Sequence, residues 1–265
     1  MTQILRPDAF SLRSEPPRAG IEEERLHRKR RLAAAYRVFA LKGYDHGLAG
    51  HITVRDPEHE DRFWVAPIGP WFGHIRVSDL VLVNHDGDIL HGEGPINQAG
   101  FAIHSEIHKA RPDVIAAAHS HSLYGKAWSS LGRLLDPISQ DSCFFYENHV
   151  LFEDYTGIVF DTSEGKRIAE ALGDKRAAIL QNHGILTVGK SVESAVASYV
   201  SFEVACQTQL LAEAAGTIKP IGHDVARHTA GQSRGADPGA FGFAHFMSAF
   251  YVNSPISWNS VITSY

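Results

Sequence analysis

Three histidines stand where their side chains could converge on one metal ion. His119 and His121 lie in the run Ala118-His119-Ser120-His121, directly after the apolar stretch 114–118. Side chains alternate faces in an extended segment, so residues two apart point the same way and can share a ligand. A His-x-His pair arises by chance in a chain with sixteen histidines. Its position adds weight, because the end of an apolar strand is where open α/β sheets place their ligand crevices. His183 has a similar setting, after Ala178-Ile179-Leu180-Gln181 and before Gly184, a residue that lets the backbone turn sharply. Three neutral imidazoles make a facial site suited to zinc and compatible with iron, manganese or cobalt, with a position left for water or substrate. Glu106 precedes the histidine-bearing strand on a helix and can be brought over its end as fourth ligand or base. The alternative for Glu106 is a solvated helix face.

Other histidines need no such role. His27, His59, His85, His223 and His228 sit in charged, turn-like or glycine-rich surroundings and are expected at the surface. The formal charge of -5 offers no basic face for nucleic acid. Cys143 and Cys206 are far apart and form no Cys-x-x-Cys pair, so neither a disulfide framework nor a thiolate zinc site is indicated, and a reducing cytoplasm fits. No run is apolar and long enough for a membrane span, and the first twenty residues lack a signal-peptide core. A small-molecule substrate is the expected partner.

Elements must position these residues. Residues 1–20, with Pro16-Pro17, read as a flexible arm. Helical spacing over 21–41 follows the acidic cluster Glu22 to Glu24, and Lys42-Gly43 ends that helix. Short β-prone runs at 51–55, 63–66, 80–83 and 88–90 predict a meander of hairpins. A helix over 98–110 leads into the strand 114–118, and a helix over 122–130 follows the His-x-His pair. A helix at 164–172, a strand at 177–181, a short strand to Val188 and a long helix over 192–215 repeat that logic. Residues 216–242 read as loop-rich, before a segment at 243–251. The alternation favours one layered α/β domain over 21–222, with 223–265 as an extension completing the active site or a subunit interface.

Taken together, Ser105-Glu106-Ile107-His108, Ala118-His119-Ser120-His121 and Gln181-Asn182-His183-Gly184 resemble the class II aldolase/adducin family. The likeness runs from the first helix through Gly50-His51-Ile52-Thr53-Val54-Arg55 to near Ala215. It implies a single three-layer α/β/α domain on a central, mostly antiparallel sheet, assembled as a homotetramer with sites between subunits. It also implies metal ligation by His119, His121 and His183, with Glu106 binding at rest and then acting as acid and base. The resemblance also implies a tyrosine from a neighbouring subunit that protonates the leaving aldehyde, with Tyr155 as the candidate and Tyr146 and Tyr265 as alternatives. A bound cation polarises a substrate carbonyl and stabilises the enediolate left by carbon–carbon cleavage.

The sugar-phosphate enzymes of this family cradle phosphate in loops matching Gly50-His51, Ile68-Gly69 and His104-Ser105. Isoleucine offers no donor, and the two imidazoles are bulky and largely uncharged near neutral pH. Ser105 and Gly69 make a poor dianion cradle, so the expected substrate lacks phosphate and carries a carboxylate or an aromatic ring beside Trp71 and Phe72. The resemblance implies a lyase first, by aldol or retro-aldol cleavage or decarboxylation. A non-haem iron oxygenase on an aromatic hydroxy or oxo acid is the second reading, and a non-catalytic adducin-like module the third.

Overall fold

The computed structural model describes residues 18–159 and 161–234. The fold centres on an eight-stranded sheet in the order β4-β3-β2-β1-β5-β8-β7-β6. Its strands are β1 (His51–Arg55), β2 (Arg62–Val65), β3 (Val81–Asn84), β4 (Ile89–His91), β5 (Ala116–Ser120), β6 (His149–Phe152), β7 (Ala177–Leu180) and β8 (Gly184–Gly189). Neighbours run antiparallel except β6 and β7, which are parallel. The mostly antiparallel sheet expected from the resemblance is therefore present.

Strand alternation sorts the core into two layers. Ile52, Val54, Ala116, Ala118, Ile179 and Ile185 pack with α1 (Ile21–Lys42) and α5 (Val192–Ala215) on one face. Ala117, Ala178, Leu180, Leu186 and Val188 face α2 (Gln98–Ala110) and α4 (Thr162–Leu172) on the other. The period of two, set by the pleat, thus assigns His51, Thr53 and His119 to the α2 face. Helix α3 (Leu123–Ser129) packs on α5.

Local chemistry fixes the helix ends. α1 carries Glu22, Glu23 and Glu24 in its first turn and closes at Gly43 in the left-handed region, φ 71°. The Asn97 side chain caps α2 through Gly100 N–H. At the other end the buried Arg55 guanidinium donates to the carbonyls of His108 and Arg111, which no intrahelical donor can reach.

Two elements depart from the sequence reading. β6 lies in a stretch where no strand is expected. Its four residues are too few to establish a period. Residues 216–242 were expected as loop, yet α6 spans His223–Arg234. Its buried Ala226 and Ala230, four apart, seat it beside the short turn at residues 142–145, and Arg227 pairs with Glu147 at 2.8 Å. The glycines near residue 231 hid that contact. Residues 1–17 of the expected arm, the segment 243–251 and Tyr265 lie outside the described residues.

Candidate metal centre

His119 sits inside β5, His121 just past its end, and His183 in the hairpin joining β7 to β8. One ligand nitrogen from each lies within 4.8 Å of the others, and among the described residues this is the group able to hold a metal. Ring centroids are 5.3 Å apart for His119 and His121, 4.7 Å for His119 and His183, and 4.8 Å for His121 and His183. His119 Nδ1 donates to the Ile185 carbonyl at 2.8 Å. A carbonyl only accepts, so the hydrogen is fixed on Nδ1 and Nε2 carries the lone pair that a metal needs. His183 Nδ1 is buried with no partner among the described residues.

Burial keeps these rings neutral. His119 is held well below the ordinary imidazole range by desolvation and then by crowding from His183 and His51. Desolvation lowers His183 to about 4, and it lowers His121 with help from Lys126. Three uncharged nitrogens, one orphaned buried atom and one tautomer locked by a backbone carbonyl fit a divalent cation.

Two devices place these histidines. Asn182 adopts φ 58°, a left-handed turn that asparagine tolerates, and His183 N–H closes the hairpin on the Leu180 carbonyl at 3.0 Å. The turn thus belongs to Asn182, not to Gly184 as the sequence suggested. Gly184 serves close approach instead: a Cβ there would stand 3.1 Å from the Ser120 carbonyl and 3.5 Å from His119 Cε1. On the other side, α5 grips the segment around His121. Tyr199 donates to the Ser120 carbonyl at 2.8 Å, and the buried Glu203 carboxylate accepts from Ser122 Oγ at 2.6 Å, Tyr124 N–H at 2.8 Å and Gly125 N–H at 2.6 Å. Sequence reasoning missed both. A glutamate at a core-facing helix position was the available signal.

The remaining expected site residues are divided. Glu106 is not among the converging groups; its carboxylate is held by Lys109 at 2.7 Å. Its side chain is 15% exposed, while α2 turns Gly100, His104 and His108, spaced by four, towards β1. Tyr155 is half exposed with its ring 6.5 Å from His183. Tyr146 instead bonds His223 at 2.6 Å. His51 and Gly69 line a cleft with Gly50, Ile68, Phe72 and Asn97, and no lysine or arginine lines it. His104 lies fully buried behind His51, and Ser105 is buried with Oγ unpartnered, so neither lines that cleft. Trp71 is exposed and bonded to Asp45, while Phe72 packs edge-on against Tyr36 at 4.8 Å. Of the histidines expected at the surface, His223 and His228 are exposed. His27, His59 and His85 are half-buried by neighbouring side chains.

A family model described as the class II aldolase and adducin N-terminal domain matches residues 30–210. A 4-hydroxy-3-prenylphenylpyruvate oxygenase/4-hydroxy-3-prenylbenzoate synthase of Streptomyces roseochromogenus subsp. oscitans is 45% identical over 216 residues, covering 81% of this chain and 78% of that protein. The decarboxylase NovR of Streptomyces niveus is 44% identical over 212 residues, covering 79% of this chain and 78% of its own length. A solved structure of an L-fuculose 1-phosphate aldolase from Glaciozyma antarctica PI12 superposes with a TM-score of 0.82 at 47% identity, covering 89% of this chain and 93% of that one.

Proposed function

This chain belongs to the class II aldolase and adducin family, and on that premise we propose that it is a metal-dependent lyase. It performs aldol or retro-aldol carbon–carbon cleavage, or decarboxylation, on a small hydroxy-carbonyl or oxo-acid substrate without phosphate. The observation that carries this reading is the approach of three neutral ring nitrogens to within 4.8 Å at β5 and the β7–β8 hairpin, inside the sheet. His119, His121 and His183 would hold one divalent ion, zinc first, with iron, manganese or cobalt also suited to the donor set. Such an ion supplies polarisation of a carbonyl and stabilisation of the charge that develops when a bond to the adjacent carbon breaks.

The chain's own residues do the rest. Tyr155 is the proton donor of choice, since it is half exposed with its ring 6.5 Å from that of His183. Glu106, whose carboxylate pairs with Lys109 at 2.7 Å, is the proposed acid–base group. The cleft beside His51 has no cationic side chain to hold a phosphate dianion, and Phe72, Ile68 and Pro70 give it an apolar wall. That supports an uncharged or aromatic substituent in place of phosphate. A homotetramer, with Tyr155 covered by a neighbouring copy, is the proposed working unit.

A second reading is favoured by the relative named as an oxygenase. Three histidines can also hold iron with open positions, for oxygen chemistry on an aromatic oxo acid. Elemental analysis paired with a screen of 2-oxo acids, 2-hydroxy acids and aldehydes, with and without oxygen, separates the two. Turnover in the absence of oxygen with zinc or manganese is the expected result. Turnover that requires iron and consumes oxygen would replace the lyase reading with the oxygenase one.

A further inference from the structure

The seven-residue helix α3 touches the support of each histidine in the triad. It begins two residues after His121, and its first turn has no cap of its own, because the Ser122 hydroxyl donates to Glu203 at 2.6 Å rather than accepting from the helix. The Tyr124 and Gly125 N–H groups end on the same Glu203 carboxylate, at 2.8 and 2.6 Å. A first turn capped only from another helix stays where that helix holds it. At the far end of α3 the Ser129 carbonyl accepts from Asn182 N–H at 3.2 Å, one residue before His183. The chain that follows keeps to this hairpin: a Cβ on Gly132 would stand 3.4 Å from the Gln181 side-chain nitrogen.

Between the two ends lies Gly125, buried in mid-helix, where glycine is a poor helix former. Close approach accounts for it. A Cβ at this position would meet Ile185 Cγ1 at 2.7 Å and Glu203 Oε2 at 2.7 Å. Neither atom can step aside freely. Ile185 is fully buried in β8, with its carbonyl holding His119 Nδ1 at 2.8 Å, and Glu203 is tied by its three bonds. The missing side chain thus lets α3 sit directly on the residue that orients His119. Trp128, three residues on and fully buried, fixes the rotation of the helix in that seat.

One short helix therefore meets the His121 segment through Glu203, the His119 support at Gly125 and the His183 hairpin at Ser129. A close-packed helix held at both ends moves as one body, so a shift at one contact is passed to the others. We propose that Gly125 is a positioning residue and α3 a strut that sets His119, His121 and His183 relative to one another. The three rings then take up a cation as one unit rather than as independent ligands. This rests on the metal reading for the cation, but not for the linkage among the rings.

Two substitutions load the strut at different points. Gly125→Ala presses on Ile185, and Glu203→Gln loosens the first turn, at the end of α3 away from Asn182. In ring-nitrogen spectra of the full chain, labelled in histidine and free of metal, each should shift the signals of His183 as well as those of His119 and His121. With cobalt(II) added, the visible absorption bands, which report the arrangement of the donors, should change. Cobalt affinity in a chelator competition should fall about tenfold. Gly165→Ala is the control, since its Cβ meets Ala102 on α2 and none of these supports, and it should leave the histidine signals and the cobalt bands as in the parent. An unmoved His183 signal in Glu203→Gln overturns the proposal, and that variant decides the matter if Gly125→Ala does not fold. Shifts of the same size in Gly165→Ala overturn it too, because they would mark a general loosening. Linked shifts in the variants of a parent chain that takes up no cobalt would leave the strut standing and sink the metal reading.

Discussion

At the scale of the residue, the site is a matter of which nitrogen carries a hydrogen. His119 is committed by the Ile185 carbonyl, and that single bond at 2.8 Å leaves Nε2 as the nitrogen with the lone pair. Tyr155 has no comparable restraint beyond its place near His183. Its role rests on its hydroxyl, so Tyr155→Phe should lower kcat by about a hundredfold while metal content is unchanged, in line with the loss of a general acid. Equal kcat in that variant would move the proton donor elsewhere. The convergence of the three histidines was legible from residue type and position, because strand alternation and the end of an apolar run both pointed the same way. Glu106 was expected from the likeness in Ser105-Glu106, and the helix period that turns Gly100, His104 and His108 towards the sheet leaves its carboxylate beside Lys109.

At the scale of the element, ligand geometry depends on contacts between pieces far apart in sequence. Glu203 on α5 accepts three hydrogen bonds from the segment after His121. Glu203→Gln keeps the shape but replaces acceptor lone pairs with N–H groups facing other donors. Metal affinity should fall by about tenfold, the usual effect of disturbing a group that orients a ligand. Unaltered affinity in a chelator competition would show that α5 does not set the position of His121. Helix packing on the opposite face is equally tight. A Cβ on Gly165 would stand 2.0 Å from the Ala102 carbonyl, so α2 and α4 cross with no room for a methyl group. Gly165→Ala should cost about 2–3 kcal/mol in denaturant unfolding, since backbone cannot yield as a flexible side chain would. A loss below measurement error would mean that the crossing is looser than drawn. The long amphipathic or apolar elements were readable in the sequence, among them α2 and α5, whose bounds agree with their spacing. Short β6 and the alanine-seated α6 were not, because each is decided by a tertiary contact rather than by its own period.

At the scale of the whole molecule, several buried imidazoles couple stability to pH. Desolvation holds His183 down to about 4 and pushes His51, His104, His108 and His119 well below the ordinary range. Unfolded, the same rings take up protons near 6.5. Between those values the unfolded chain binds more protons, so stability is fully present above pH 6.5 and is lost as pH falls towards 4. His183 alone accounts for roughly 3 kcal/mol over that window. The metal-free chain should therefore unfold at progressively lower urea concentration from pH 7 to pH 5. A flat midpoint across that range would contradict the neutral, buried state of these rings.

The layered α/β/α architecture follows from alternation along the central strands, which sends Ala116 and Ala118 to one core and Ala117 with His119 to the other face. That architecture brings residues 119, 121 and 183 together, and the functional reading depends on it. Anomalous diffraction from crystals of the zinc-loaded chain, collected across the zinc edge, addresses the matter most directly. One peak within bonding distance of ring nitrogens from His119, His121 and His183, absent from a His119→Ala crystal, is the result this account predicts. A peak held by other residues, or none at all in a protein that crystallises with its histidines as described, would contradict it.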